Sequence, residues 1–149
     1  MTKILFICHG NICRSACAEF VMKEIVRREG VSDRFHIESK GTSAEELGNG
    51  MYPPMYKELK KHGIDGGGHR ARRMRQSDYG EFDLLVGMDD ENRYFMNRIW
   101  PGDPEGKLHL LLDYTDHPRE VSDPWYTRDF AQAYDDIREG CEALFQALI

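Results

Sequence analysis

The sequence has no apolar run long enough to cross a membrane. Its most hydrophobic opening stretch, Ile4-Leu5-Phe6-Ile7, gives way at once to polar and glycine residues. That stretch is also too short for the core of a signal peptide, so a cytoplasmic location is expected. Repeats and low-complexity tracts are missing, and the composition lacks the polarity of a disordered segment. There is no surplus of positive charge: 20 Lys and Arg stand against 26 Asp and Glu, a net −6. Polyphosphate binding draws on surplus Lys and Arg, so duplex nucleic acid is not an expected partner. Cysteine is scarce and unevenly placed. Of four, Cys8, Cys13 and Cys17 fall within ten residues, Cys141 stands alone, and none lies between Cys17 and Cys141. That pattern excludes a disulfide framework and points to thiol chemistry in a reducing compartment. No Gly-Lys-Ser/Thr follows a glycine turn, which excludes a nucleotide-binding P-loop.

What is present suits one compact domain of 149 residues, with 40% hydrophobic and 31% charged side chains. The charge is asymmetric. Residues 1–100 hold 16 basic and 15 acidic side chains, whereas residues 101–149 hold 4 and 11.

The opening apolar run has strand length, and a helical pattern follows after Cys8-His9-Gly10-Asn11. Ala18, Val21, Met22, Ile25 and Val26 form one buried stripe, with Gly30 placed to stop the helix. Further strands are predicted at Phe35 to Ser39, Asp83 to Met88 and Leu108 to Leu112. Helices are predicted from Met55 to His62, around Asp90 to Arg98, and from Phe130 to Leu148. Short strands alternating with helices imply an α/β domain, a parallel sheet covered on both faces. Ligands in such sheets bind beyond the carboxyl ends of the strands, where Cys8 falls. The segments 43–54 and 113–129 resist assignment and are long enough to line a site.

The segment Cys8-His9-Gly10-Asn11-Ile12-Cys13-Arg14-Ser15 sits between that first strand and the first helix. A loop there points backbone N–H groups inward, and Gly10 and Asn11 tolerate the left-handed conformations such a turn demands. The helix N-terminus, the N–H donors and Arg14 all favour a negatively charged sulfur on Cys8. Arg14 offers a planar fork for two oxygens of a tetrahedral dianion. Ser15 is placed to hydrogen-bond the sulfur. The alternative is a buried cysteine ending a strand and an arginine exposed on the first helical turn.

Covalent catalysis on a phosphate ester needs one more group, an acid that protonates the leaving oxygen and later serves as base for water. Asp123, in Asp123-Pro124-Trp125-Tyr126, is the candidate, with Trp125 and Tyr126 as walls for a flat ring. Taken alone, the same four residues also describe an ordinary Asp-Pro turn followed by core aromatics.

Cys8 to Glu19 and Asp123 to Tyr126 resemble the low-molecular-weight protein tyrosine phosphatases. So do the Gly41-Thr42-Ser43 turn, the His69 to Arg72 segment and the Met88-Asp89 strand end. The resemblance implies a single-domain three-layer sandwich, a four-stranded parallel sheet with helices on both faces. It implies hydrolysis of phosphotyrosine in proteins without a metal or other cofactor, by a monomer or weak dimer. Cys8 would be the nucleophile, Arg14 the phosphate binder and Asp123 the general acid, with Asn11, Ser15 and His69 shaping the loop. Cys13 would trap oxidised Cys8 as a reversible disulfide; the alternative is a small core residue beneath the loop. Cys17 and Cys141 read as core. A zinc site from Cys8, His9, Cys13 and Cys17 is disfavoured because Arg14 opposes the cation.

The chain departs from the family pattern in four places. Ala16 replaces a proline on the first helical turn, His9 stands where an apolar residue often lines the pocket mouth, Glu45 falls where an aromatic often closes the cleft, and Trp125 takes a place more often held by Tyr. His9, beside the nucleophile, is expected to bias the pocket toward acidic peptides. Among related activities, an arsenate reductase would need further cysteines between Cys17 and Cys141. A protein-arginine phosphatase would carry Thr where Ile12 stands. A phosphate-binding module would account for Arg14 but not for Cys8 and Asp123 together.

Overall fold

The computed structural model describes all 149 residues. Four parallel strands form one sheet in the order β2-β1-β3-β4. β1 spans Thr2–Cys8, β2 Phe35–Gly41, β3 Leu84–Gly87 and β4 Leu108–Leu110. The helices are α1 (Arg14–Arg28), α2 (Pro53–Lys61), the single turn α3 (Asp78–Glu81), α4 (Asp90–Ile99), the single turn α5 (Pro124–Thr127) and α6 (Phe130–Leu148). None is long and apolar enough to cross a membrane.

β1 is apolar throughout because it is covered on both sides. Ile4, Phe6 and Cys8 face the larger core, built with α1, α2 and α6. Leu5 and Ile7 face a smaller one with Met74, Phe82, Leu85, Met96 and Trp100. These are the three layers expected of the sequence. Each fully buried side chain of this size contributes about 1.5–3 kcal/mol. The predicted stripe of α1 is buried, and the helix ends at Gly30 with φ +71°. There Val31 N–H closes onto the Val26 carbonyl at 2.9 Å, a Schellman stop. α6 comes close to the residues after β4 because Gly140 has no Cβ; one there would lie 2.5 Å from Leu111 Cγ.

The predicted fourth strand is cut short. Leu111 and Leu112, placed in it by their hydrophobicity, begin a 3-10 turn over Leu111–Tyr114 and bury themselves against the α6 side instead.

From β1 the chain moves outward to β2, and from β3 it moves the opposite way to β4. The order therefore switches between β1 and β3. Their carboxyl ends open a crevice there. Cys8 ends β1, and Asp89 follows β3 by two residues.

Candidate active site

The residues from Cys8 to Arg14 wrap from β1 onto the N-terminus of α1. Asn11 takes the left-handed conformation at φ +60°. Cys13, at the N-cap position of α1, makes no side-chain cap, and the first turn carries no acid. The dipole and free N–H groups of a 15-residue helix therefore remain available to an anion.

A directional network fixes this loop. Asn11 Nδ2 donates to Ser15 Oγ and to Ser39 Oγ, both at 2.9 Å. Ser39 Oγ in turn donates to Glu19 Oε1 at 2.6 Å. With its oxygen taken by Asn11, the Ser15 hydroxyl can direct its proton to Cys8 Sγ, 3.0 Å away. The other face of the amide, Asn11 Oδ1, accepts from Arg72 N–H at 2.9 Å. His69 Nε2 donates to the Asn11 carbonyl. Burial favours the neutral ring and holds the His69 imidazole below its ordinary pKa, although the hydrogen bond to that carbonyl acts the other way. Asn11, Ser15 and His69 thus meet around one loop, and Ser39 and Glu19 extend the network in a way the sequence did not signal.

The loop is also clamped from β2. Thr42 N–H bonds the Cys8 carbonyl at 2.9 Å and Ser43 N–H the His9 carbonyl at 3.1 Å. Gly41 permits this approach, since a Cβ there would stand 2.8 Å from the His9 oxygen.

Arg14 is 5% exposed. Its Nη2 donates to Asp89 Oδ2 at 2.8 Å and lies 3.4 Å from Asp123 Oδ2, while Nη1 donates to the Val121 carbonyl at 3.1 Å. Burial opposes its charge, but Cys8, Asp89 and Asp123 outweigh that and raise its pKa above the ordinary value. The alternative of an arginine exposed on the helix is thereby excluded. Asp89 also caps α4, accepting from Asn92 N–H at 2.8 Å. It was legible only as a strand end; the switch-point rule marks it as a site residue.

Asp123 caps α5, accepting from Trp125 N–H at 3.0 Å. Its segment is pinned to the sheet by Val121 N–H on the Met88 carbonyl at 3.0 Å. Trp125 and Tyr126 are exposed, 59% and 81%, which excludes the core-aromatic alternative. Trp125 leans on Tyr52, ring centroids 5.6 Å apart.

A cleft of about 680 Å³ joins Cys8, Arg14 and Asp123 with Gly10, Ile12 and Cys13. Both unassigned segments reach it, the first through Glu45 and Glu46, the second through Glu120, Asp123, Trp125 and Tyr126.

His9, expected to bias the pocket toward acidic peptides, sits among carboxylates of the chain itself. Its Nε2 lies 3.0 Å from Glu45 Oε2 and its Nδ1 3.8 Å from Glu91 Oε1, so the ring is engaged by carboxylates already present.

All four cysteines are free thiols. Burial, and then the charge of Cys8, push the Cys13 thiol far up, so it is protonated at neutral pH. Cys141 is fully buried, its Sγ 3.7 Å from the Ala18 carbonyl on α1. It belongs to the core, which removes the last cysteine an arsenate reductase would have needed.

Residues 3–149 match the family model described as low molecular weight phosphotyrosine protein phosphatase. The low molecular weight protein-tyrosine-phosphatase YfkJ of Bacillus subtilis is 30% identical, over 99% of this chain and 96% of its own. Its crystal structure superposes with a TM-score of 0.95, covering 99% of this chain and 94% of that one. The low molecular weight phosphotyrosine protein phosphatase of Rattus norvegicus is 36% identical, over 96% of this chain and 93% of its own. The crystal structure of a Drosophila arginine phosphatase is similar at a TM-score of 0.87 and 28% identity, covering 99% and 98% of the two chains. Matched over nearly its whole length, the chain belongs to the low molecular weight phosphotyrosine protein phosphatase family.

Proposed function

We propose that this chain hydrolyses phosphotyrosine in proteins through a cysteinyl-phosphate intermediate. The observation that carries this is the position of Cys8 Sγ, 3.0 Å from a serine hydroxyl at the uncapped N-terminus of α1, in one cleft with Arg14 and Asp123.

The phosphate oxygens are held by the loop N–H groups and the Arg14 guanidinium, which match the charge spread over them in the transition state. Cys8 sulfur attacks phosphorus, forming the P–S bond as the P–O bond to the phenol breaks. Asp123 serves as general acid and gives the phenolic oxygen its proton. Asp123 as carboxylate then takes a proton from water, the hydroxyl attacks phosphorus, and the P–S bond breaks to release inorganic phosphate. Ser15 stabilises the departing thiolate. Trp125 and Tyr126 serve as walls for the aromatic ring, and Glu45 stands at the mouth. Cys13 is the thiol for reversible oxidation of Cys8. A reducing cytoplasm suits the four free thiols, with the enzyme acting as a monomer or weak dimer.

A protein-arginine phosphatase would use the same loop with a nitrogen leaving group. Ile12 on the cleft lining and two exposed aromatics favour the flat phenyl ester instead. Side-by-side assay of phosphotyrosyl, phosphoseryl and phosphoarginyl peptides in chelator is the test. Preferential turnover of phosphotyrosine is expected, and preference for phosphoarginine would replace the assignment.

A further inference from the structure

The cleft around Cys8 is ringed by carboxylates that the phosphate chemistry does not consume. Asp89 and Asp123 share the single charge of Arg14, at 2.8 and 3.4 Å from its Nη2. Beyond them, Glu45, Glu46, Glu91 and Glu120 line the mouth, and the one other basic side chain in the lining is His9. His9 lies between Glu45 and Glu91 and compensates one negative charge at most. Glu46 accepts from Asn49 Nδ2 at 2.7 Å and Glu120 from Asp90 N–H at 2.9 Å; both partners are neutral and leave the carboxylate charge in place. Two arginines outside the lining are turned to other work. Arg128 stands over the rings of Tyr52 and Phe130 at 5.8 and 5.6 Å, and Arg70 donates to the His69 carbonyl. Neither lines the cleft.

A phosphate dianion on a neutral or acidic peptide must cross this collar against repulsion, which lowers the encounter rate. A peptide with Lys or Arg beside its phosphotyrosine brings the missing charge, and its amine or guanidinium meets exposed carboxylates while the phosphate reaches Arg14. We propose that the enzyme selects phosphotyrosyl segments flanked by basic residues, and that Glu45, Glu46 and Glu91 set this preference. The proposal rests on the phosphotyrosine assignment and names the substrate class of that same site. Glu45 and Glu91 are well placed for it, with side chains 70% and 63% exposed.

The test compares kcat/KM for three phosphotyrosyl peptides that differ only in having Lys, Ala or Glu on either side of the phosphotyrosine. It uses the wild type and the combined variant E45Q/E46Q/E91Q. At low ionic strength the wild type is expected to favour the Lys peptide over the Glu peptide by about tenfold or more, as two or three exposed ion pairs would give. The ratio should shrink in about 0.5 M salt, where the Debye length is only a few ångströms. In the variant it should fall toward unity; taking the ratio cancels any loss of overall activity. Equal rates, a preference for the Glu peptide, or a ratio that survives in the variant would overturn the proposal. Failure of the underlying assignment looks different: no phosphotyrosyl peptide is then hydrolysed, whatever flanks it, and both fall.

Discussion

Ser15 Oγ stands 3.0 Å from Cys8 Sγ while accepting from Asn11 Nδ2 at 2.9 Å, so its proton is free for the sulfur. A hydrogen bond to a charged group contributes about 1.5–3 kcal/mol, or about 10–100-fold in rate. Ser15→Ala should lower kcat by about that factor, chiefly in breakdown of the phosphoenzyme, where sulfur must leave as thiolate. Rapid-quench kinetics with an activated aryl phosphate should show a burst larger than in the wild type. A lost rate without a burst would assign Ser15 to the first step instead.

Cys8→Ser should abolish turnover and still bind inorganic phosphate, because the N–H cradle and Arg14 remain. Asp123→Asn retains an N-cap for α5 but has no proton to give. It should slow phenyl phosphates with poor leaving groups far more than nitrophenyl phosphate, which needs little protonation. Losses of equal size across a leaving-group series would remove Asp123 from the acid role.

Local regularities were legible in the sequence, and contacts between distant segments were not. The first strand, its loop and the stripe of α1 follow from spacing within thirty residues. α6 was readable for the same reason, with Tyr134, Ile137, Cys141, Leu144 and Phe145 buried on one face. The single turns α3 and α5 were missed because four residues carry no periodicity. Counting charge over residues 1–100 and 101–149 gave a nearly neutral first hundred residues. It hid the acidic mouth, which gathers Glu45 and Glu46 from the segment after β2, Glu91 from α4 and Glu120 from the segment before α5. The pairing of Asp89 with Arg14 was hidden likewise, since 75 residues separate them.

That pairing sets a balance between holding Arg14 and binding phosphate. Asp89→Asn keeps an acceptor for Asn92 N–H but removes a negative charge 2.8 Å from the guanidinium. Competitive inhibition by inorganic phosphate should tighten by about three- to tenfold, the scale of one partly exposed charge interaction. At the same time kcat should fall, as Arg14 loses the partner that orients it. An unchanged inhibition constant would reduce Asp89 to a helix cap.

The His69 ring gives the loop a pH dependence of defined sign. Burial depresses its pKa below the ordinary 6.5, so the unfolded chain binds a proton that the folded chain resists. The stability His69 contributes is complete above pH 6.5 and is lost as pH falls through the folded-state value. Urea midpoints should therefore drop between about pH 7 and pH 5 more steeply in the wild type than in His69→Gln, which has no ring to titrate. Parallel profiles for the two proteins would show that the acid sensitivity lies elsewhere.

Cys13 has to act as a thiol, because burial and the charge of Cys8 keep its proton on. In the proposed protection, peroxide would convert Cys8 to a sulfenic acid, and the Cys13 thiol would then condense with it, forming the S–S bond and releasing water. A protonated partner makes this condensation slow, so brief exposure to low peroxide should protect and prolonged excess should not. After a brief pulse, dithiothreitol should restore most wild-type activity, whereas Cys13→Ser should recover less with each added minute as Cys8 proceeds to the sulfinic acid. Intact-mass measurement separates the two products, a loss of two hydrogens in the wild type and a gain of two oxygens in the variant. Equal recovery of both proteins across the time course would leave Cys13 as packing beneath the loop, with Cys8 protected by its own hydrogen bonds alone.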